Sequence, residues 1–255
     1  MVEKIIVALF GLAWGSFLNV VIHRLPRGLS LAHPPSSCPR CGTRIKAYDN
    51  VPVLSYLWLR GKCRACGLKI SPVYPLVEIV TPVCFLLLLA KHSLTVPFFA
   101  SSLFASALIV LCFIDLHHQI LPDEITLPGL ALALVYSVFR SDMNLRQSLL
   151  GAVAGAGFLL AIYGAYLLLR KKEGLGMGDV TMMLFVGAYL GWLKAFFTLL
   201  VGSFAGALVG LFLLSFRKKD LQFSLPFGTF LAPAAFFALV WGDRIISAYL
   251  SLYKR

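Results

Sequence analysis

Eight long apolar runs divide this chain, and they constrain its fold more than any other feature. They cover residues 5–22, 73–90, 97–115, 124–140, 147–169, 177–194, 195–216 and 226–250. A helix needs about 20 residues to cross a hydrocarbon core of about 30 Å, and several runs approach that length. Hydrophobic residues make up 59% of the chain and charged residues 13%, which is too apolar for a water-soluble domain. The sequence therefore predicts an all-α polytopic membrane protein with about eight transmembrane helices.

The loops between the runs differ in charge, and this difference predicts the topology. Residues 23–72 contain nine Lys or Arg and one acid, Asp49, and basic clusters recur at Arg170–Lys172 and Arg217–Lys219. The intervening loops carry fewer basic residues, so the positive-inside rule places alternate loops in the cytoplasm and both termini outside. Lys254 and Arg255 in the outer tail run against the rule. Because the net charge of +12 resides in such loops, we expect no nucleic-acid partner.

We divide the chain accordingly into three parts. Residues 1–22 form a first transmembrane helix, and no small-residue cleavage site follows it, so we expect a retained anchor. Residues 23–72 form a cytoplasmic loop module, and residues 73–255 form a polytopic domain of about seven transmembrane helices.

Four cysteines in the long loop have the spacing of a metal site. Two C-x-x-C pairs, each followed by glycine, supply Cys38, Cys41, Cys63 and Cys66. Such knuckles aim both sulfurs of a pair at one point, and two knuckles make a tetrahedral site of four thiolates. A reduced cytoplasmic loop favours a metal over disulfides. We expect structural zinc, because a catalytic zinc would need an open coordination position.

Two aspartates lie at the edges of apolar runs, on the side that the charges place in the cytoplasm. Asp115 ends the third run and Asp179 begins the sixth. Ionisable groups at membrane depth are costly and usually functional. Two carboxyl groups at one depth can share a proton, so that one activates water while the other polarises a carbonyl. A structural role competes for Asp179, which could cap a helix, and for Asp123, which stands where the fourth run begins.

At these residues the sequence resembles the type IV prepilin peptidases, also called leader peptidase/N-methyltransferases. The resemblance runs nearly end to end and is carried by GSFLNVVIHRLP at residues 15–26, the paired C-x-x-C loop, YPLVE at 74–78, the segment 115–123, and GMGD at 176–179. The last of these is similar to the GxGD signature of presenilin-like intramembrane aspartic proteases.

The resemblance implies an aspartic endopeptidase of the bacterial inner membrane with Asp115 and Asp179 as its catalytic pair. Its substrates would be type IV prepilins or pseudopilins, cut at the cytoplasmic face after a short basic leader ending in glycine. Many members also methylate the new N-terminus with S-adenosylmethionine. For that activity we expect Glu78 to contact the substrate amine or the methyl donor, although a helix–helix hydrogen bond of Glu78 or Asn19 is equally compatible with the sequence.

Three alternatives remain open from the residues themselves. The chain could be a peptidase without methyltransferase activity, since no glycine-rich dinucleotide-type fingerprint is present. It could be a transporter with Glu78, Asp115 and Asp179 as a proton relay, although such folds are built from internal repeats and we find no convincing one. It could also be a non-enzymatic assembly factor whose zinc module binds a partner.

Overall fold

The computed structural model describes residues 1–170, 176–216 and 225–252. Its helices are α1 (Val2–Arg24), α2 (Leu54–Trp58), α3 (Val73–His92), α4 (Val96–His118), α5 (Asp123–Phe139), α6 (Leu145–Arg170), α7 (Met177–Leu190), α8 (Trp192–Phe216) and α9 (Gly228–Leu252). Within the described ranges the only β pairing is two isolated bridges in the long loop. The all-α prediction is confirmed.

Each of the eight apolar runs forms one helix, but the helices differ in length. Among the described residues, six are long and apolar enough to cross a membrane: α1, α3, α4, α6, α8 and α9. The other two, α5 and α7, have only 17 and 14 residues. At about 1.5 Å per residue, α7 spans about 21 Å, less than a hydrocarbon core. The predicted set of about eight therefore comprises six long helices and two short ones.

The break between α7 and α8 lies at Gly191, not at residues 194–195 where the sequence runs were divided. Gly191 has φ +81°, a conformation that residues with a side chain rarely adopt. Its N–H still bonds the carbonyl of Gly187, so the chain turns between two helices through a single residue. A one-residue junction leaves no polar loop in the sequence, which explains the shifted boundary.

By its packing the chain divides into two compact units, Met1–Val110 and Leu111–Arg255. In the first unit α1 and α3 pack at very short range. A Cβ atom on Gly11 would lie 2.7 Å from the Cα of Pro82, and one on Gly15 would lie 2.9 Å from the Cα of Glu78. Only glycine permits this approach. The division of the chain at residues 22 and 72 stays a prediction.

In the second unit the short helix α7 lies at the centre and contacts α5, α6, α8 and α9. Most of its residues from Val180 to Leu190 are buried. The glycines of the later helices serve this packing: Gly151 and Gly155 of α6 face α7, whereas Gly157 has open space beside it. The basic clusters Lys171–Lys172 and Arg217–Lys219, and Lys254 and Arg255, lie outside the described residues.

Candidate active site and metal centre

Asp115 lies in the last turn of α4 and is 5% exposed. Its Oδ2 accepts two hydrogen bonds from Thr229, one from the backbone N–H at 2.7 Å and one from the hydroxyl at 3.1 Å. Thr229 stands in the first turn of α9, where backbone N–H groups have no partner within the helix. The start of α9 thus fixes one oxygen of Asp115.

Asp179 lies in the first turn of α7 and is 8% exposed. Gly176 precedes the helix in an extended conformation, and its backbone hydrogen-bonds the Asp179 carboxylate. The carboxyl group of Asp179 is close enough to that of Asp115 for the two charges to repel each other. The structure therefore brings together the two acids that the sequence singled out.

Leu121, in the short loop after α4, lies against the starts of α7 and α9. A Cβ atom on Gly178 would lie 2.9 Å from the Cβ of Leu121, and one on Gly228 would lie 2.9 Å from its methyl groups and 3.0 Å from Asp115 Oδ2. Both glycines are thus needed for the short loop after α4 to pack between the starts of α7 and α9. Gly178 serves this packing, while Gly176 has more room beside it.

The third acid of this region has a different setting. Asp123 occupies the first turn of α5, is exposed, and accepts a 3.3 Å hydrogen bond from the Thr126 hydroxyl. This is the position of an acid at a helix N-terminus, where it interacts favourably with the helix dipole. His117 bonds locally to the Phe113 carbonyl through Nδ1. Each of these two residues therefore has a hydrogen-bonding partner within its own helix.

Thr229 is the site residue that sequence reasoning missed. It lies in Pro226-Phe227-Gly228-Thr229, more than 100 positions from Asp115, and carries no charge to mark it. The one available signal is the Pro-Phe-Gly-Thr segment at the start of an apolar run, which is typical of a helix N-terminus with donor groups to offer.

The two C-x-x-C segments form matching knuckles in the first unit. In the first, the Cys38 N–H donates to Thr43 and the Gly42 N–H to Cys38; in the second, the Cys63 N–H donates to Leu68 and the Gly67 N–H to Cys63. Gly42 and Gly67 have φ +68° and +70°. The glycine after each pair lets the chain turn back over its two sulfurs.

The four thiols fit a tetrahedral metal ion. All four sulfur atoms lie within 4.8 Å of one another, and the Cys38 and Cys66 sulfurs are 3.7 Å apart. A zinc ion with Zn–S bonds of about 2.3 Å requires sulfur–sulfur separations of about 3.8 Å. The cysteines are free thiols, so this cluster could bind a metal and is not a pair of disulfides.

An ion pair holds the segment between the knuckles against the second of them. Arg64 donates to both oxygens of Asp49, at 2.6 to 3.1 Å, and lies over the Tyr48 ring. These hydrogen bonds hold the pKa of the Asp49 carboxyl below its ordinary value. Asp49, the single acid of residues 23–72, therefore supports the loop module.

Glu78 is buried in α3, with 8% of its surface exposed. Its Oε2 accepts a 2.7 Å hydrogen bond from the Val53 N–H, and the Ser16 hydroxyl also bonds its carboxylate. Asn19 in α1 donates to the Tyr74 carbonyl in α3 at 3.0 Å. Helix–helix hydrogen bonds are therefore present for both Asn19 and Glu78, whereas the contact of Glu78 with an amine or a methyl donor stays a prediction.

Two family profiles match the chain, one after the other. Residues 9–92 match the bacterial peptidase A24 N-terminal domain, and residues 102–211 match the type IV leader peptidase family. The first match contains the four cysteines and Glu78, and the second contains Asp115 and Asp179. No solved structure matches the chain with significance.

Named relatives match over almost the whole length. A prepilin leader peptidase/N-methyltransferase of Aeromonas salmonicida is 40% identical over 96% of this chain and 93% of the relative. The proteins of that name from Pseudomonas putida and Pseudomonas aeruginosa are 38% and 37% identical, each over 95% of this chain and over 92% and 91% of the relative. The chain therefore belongs to the prepilin leader peptidase/N-methyltransferase family.

Proposed function

We propose that this chain hydrolyses the leader peptide from type IV prepilins or pseudopilins at the cytoplasmic face of the bacterial inner membrane, and then methylates the new N-terminal residue. The observation that carries the proposal is that two buried carboxyl groups, Asp115 and Asp179, lie near enough to interact at the ends of two apolar helices. The relatives that match more than nine-tenths of the chain support the proposal through their names.

The carboxyl pair can perform acid–base hydrolysis without a nucleophilic side chain. Close like charges do not both ionise readily, so one carboxyl group holds a proton. We assign the ionised role to Asp115, because the two hydrogen bonds from Thr229 favour a carboxylate. Asp115 takes a proton from water as the water oxygen attacks the scissile carbonyl carbon, while Asp179 gives its proton to the carbonyl oxygen.

Collapse of the resulting tetrahedral diol completes the reaction. Asp115 passes its proton to the leaving nitrogen as the C–N bond breaks, and Asp179 recovers a proton from a diol hydroxyl. The products are the leader with a free carboxylate and the mature chain with a free amine. Both aspartates return to their starting state, so one water molecule is the only other reactant consumed per turnover.

The substrate we expect has a short basic leader that ends in glycine, followed by an apolar helix that starts with Phe or a similar residue. A cut between these two parts falls where water meets the membrane. The placement of Asp115 and Asp179 at helix ends, not at helix middles, suits such a bond. The positive-inside assignment puts these helix ends in the cytoplasm.

We assign zinc to the four-cysteine cluster and give it a structural role. Protein thiolates would fill all four positions, so no site is left for water or substrate. A small loop with little apolar core gains folding free energy from such an ion. The cluster lies in the first unit, whereas the catalytic pair lies in the second.

The methyltransferase activity rests on the family alone. The groove next to Glu78 is lined by apolar side chains, including Leu9, Leu12 and Ile79. Such a lining does not fit the adenine, ribose and charged sulfonium of S-adenosylmethionine, so this groove offers no site for methyl transfer.

A Glu78→Gln variant tests whether methylation needs the negative charge of Glu78, since glutamine keeps an acceptor oxygen. If the negative charge is needed, methylation stops while cleavage continues.

A cleavage assay with three variants tests the peptidase proposal. Asp115→Ala and Asp179→Ala are each incubated in detergent with a purified prepilin, beside wild type and the matched control Asp123→Ala. We expect no cleavage by the first two variants and cleavage near the wild-type rate by the control, with unchanged zinc content in all. Full processing by either active-site variant would rule out the pair. A transporter or an assembly factor would leave the prepilin intact even with wild-type protein.

Methylation is measured separately on the cleaved product. Purified protein is incubated with mature pilin and S-adenosylmethionine, and the pilin is examined by mass spectrometry. A gain of one methyl group at the N-terminus supports the second activity. An unchanged mass with cleavage intact would leave a peptidase alone.

A further inference from the structure

An apolar segment interrupts the polar loop between the two cysteine knuckles. Residues Val51–Leu59 include α2, and several of their large side chains face outward. Leu54 and Leu57 are each 65% exposed and Trp58 is 83% exposed. Contiguous exposed apolar side chains of this size mark an interaction site, because water is an unfavourable neighbour for them.

This segment, which we call the apolar hairpin, lies beside the transmembrane helices α1 and α3. Residues 51–54 line a groove of about 400 Å³ together with Leu9 and Leu12 of α1 and Ile79 of α3. Leu12 precedes the end of α1 at Arg24 by 12 residues, which is about 18 Å of helix. Ile79 follows the start of α3 at Val73 by six residues, which is about 9 Å of helix, so the groove lies below the surface of a hydrocarbon core of about 30 Å.

Several backbone groups of the apolar hairpin are paired within the segment. Ser55, Leu57 and Leu59 donate their N–H groups to Val51, Val53 and Ser55. Val53 itself has φ +62°, an unusual conformation for a β-branched residue. Its N–H donates instead to Glu78 Oε2 at 2.7 Å. Without that carboxylate the amide would stand unpaired next to hydrocarbon, which is unfavourable.

Glu78 can serve this amide because α1 and α3 approach so closely. Gly15 of α1 lies against the Glu78 backbone, and the neighbouring Ser16 hydroxyl bonds the same carboxylate. The acceptor oxygens are thus fixed from α1 on one side and directed to the loop on the other. Glu78 accepts hydrogen bonds from the Val53 backbone and from Ser16 of α1, so we regard it as a positioning residue.

We propose that the apolar hairpin is a re-entrant segment embedded in the bilayer, that Glu78 holds it there through the Val53 amide, and that phospholipid acyl chains fill the groove beside α1. Two observations favour lipid as the occupant. Leu54 of the hairpin lines the groove beside Leu9, which is exposed on α1 together with Ile5 and Ile6. Arg60 and Lys62 follow the hairpin directly, as basic residues do where a segment leaves the membrane toward anionic headgroups.

Photolabelling from within the membrane tests the occupant. The full-length protein is reconstituted in phosphatidylethanolamine–phosphatidylglycerol vesicles that contain a phospholipid with a photoreactive group in its acyl chain. After illumination and digestion, we expect labelled peptides from residues 51–59 and none from residues 38–48 of the same loop. An unlabelled hairpin, or a hairpin crosslinked to a second copy of the chain, would overturn the proposal.

Glu78 variants test what holds the hairpin in place. Fluorescence of Trp58, obtained as the difference between each protein and its Trp58→Phe counterpart, is quenched with aqueous iodide and, separately, with brominated acyl chains. Glu78→Gln keeps an acceptor for Val53 and should behave as wild type. Glu78→Ala should increase quenching by iodide and lose quenching by brominated lipid, with the zinc content unchanged. Equal quenching in the wild type and both Glu78 variants would remove the role of Glu78, whatever the variants do to cleavage.

Discussion

The two carboxyl groups of the candidate active site have unequal surroundings. One oxygen of Asp115 accepts two hydrogen bonds from Thr229, whereas Asp179 is bonded by the backbone of Gly176 in its own turn. A pair that must hold one proton benefits from such inequality, because the proton then has a preferred place. Thr229 supplies this inequality from a third helix, α9.

Removing the Thr229 hydroxyl should slow cleavage without abolishing it. Thr229→Val keeps the shape and the backbone donor but loses the 3.1 Å hydrogen bond to Asp115. A hydrogen bond to a charged group contributes about 1.5–3 kcal/mol, so we expect kcat/KM for a prepilin to fall about 10- to 100-fold. The measurement is a time course of leader removal at several substrate concentrations.

The conservative variant separates this role from packing. Thr229→Ser restores the hydroxyl while leaving a methyl-sized gap, so it should recover most of the lost rate. A serine variant as slow as the valine variant would show that the hydrogen bond alone does not account for the loss, and that packing of the methyl group is also needed at this position.

At the scale of elements, the short helix α7 depends on direct contact with the backbone of α6. A Cβ atom on Gly151 would lie 2.2 Å from the carbonyl oxygen of Gly187, and one on Gly187 would lie 2.1 Å from that of Gly151. Backbone cannot rotate away as a side chain can. Small residues at such crossings let membrane helices pack closely. This contact fixes α7, and with it the position of Asp179.

A single methyl group at this crossing should destabilise the second unit. For Gly151→Ala we expect a loss of about 1–3 kcal/mol of unfolding free energy, as for other overpacked sites, together with reduced cleavage. Gly157→Ala on the same helix is the matched control, since nothing lies within 4 Å of its added Cβ. Thermal unfolding in detergent measures both. Equal stability of the two variants would contradict the close packing of α6 on α7.

The loop module at residues 23–72 depends on few contacts for its fold. Its knuckles are held by turns and by the Arg64–Asp49 pair, and its apolar residues face outward instead of forming a core. A module of this kind gains folding free energy when it binds a metal, so we expect the four-cysteine cluster to matter most for its stability. We therefore expect loss of the four thiolates to unfold the loop module before it affects the chemistry at Asp115.

Metal analysis checks this dependence. Purified wild-type protein should contain about one zinc per chain, as a single site of four cysteines implies. Cys38→Ser should lose the metal and make residues 36–70 sensitive to protease, whereas Cys84→Ala, in the body of α3, should retain both metal and protection. Retention of zinc by Cys38→Ser would contradict the assignment of this cluster.

At the scale of the whole molecule, the sequence predicted what composition and spacing determine. Apolar runs became helices because every backbone group in lipid must be paired within its own segment. Within each C-x-x-C pair the two sulfurs point the same way because the turn that joins them involves only neighbouring residues. The Asp115–Asp179 pair was predictable as two costly charges at the same depth, with help from the family resemblance.

The features that the sequence did not reveal depend on contacts between distant segments. Thr229 is an ordinary polar residue until α9 is placed beside α4. The apolar hairpin at residues 51–59 is too short for a span, so it was counted with the polar loop around it. Its place beside α3 follows from the pairing of Val53 with Glu78, which are 25 positions apart. The junction at Gly191 was displaced by three residues because it has no loop.

The geometry of the second unit also bears on topology. The end of α4 and the starts of α7 and α9 meet at one site. Two helices separate each of these ends from the next along the chain: α5 and α6, then α7 and α8. The chain returns to the side of the membrane where α4 ends only if α5 crosses the membrane as α6 does, and α7 as α8 does. This favours full crossing by α5 and α7 despite their 17 and 14 residues, and it agrees with the alternation of loop charge.

Cysteine labelling of intact cells tests that topology. We expect Ser141→Cys, between α5 and α6, to react with a membrane-impermeant maleimide from the periplasm, because α5 then carries the chain outward. Leu29→Cys, in the loop after α1, should react only after the membrane is permeabilised, and wild-type protein gives the background from its native thiols. Each protein must also process a prepilin, which confirms that it is folded. Labelling of both positions from the same side would mean that α5 does not cross, and the site would then need another route by which the chain returns to Asp179.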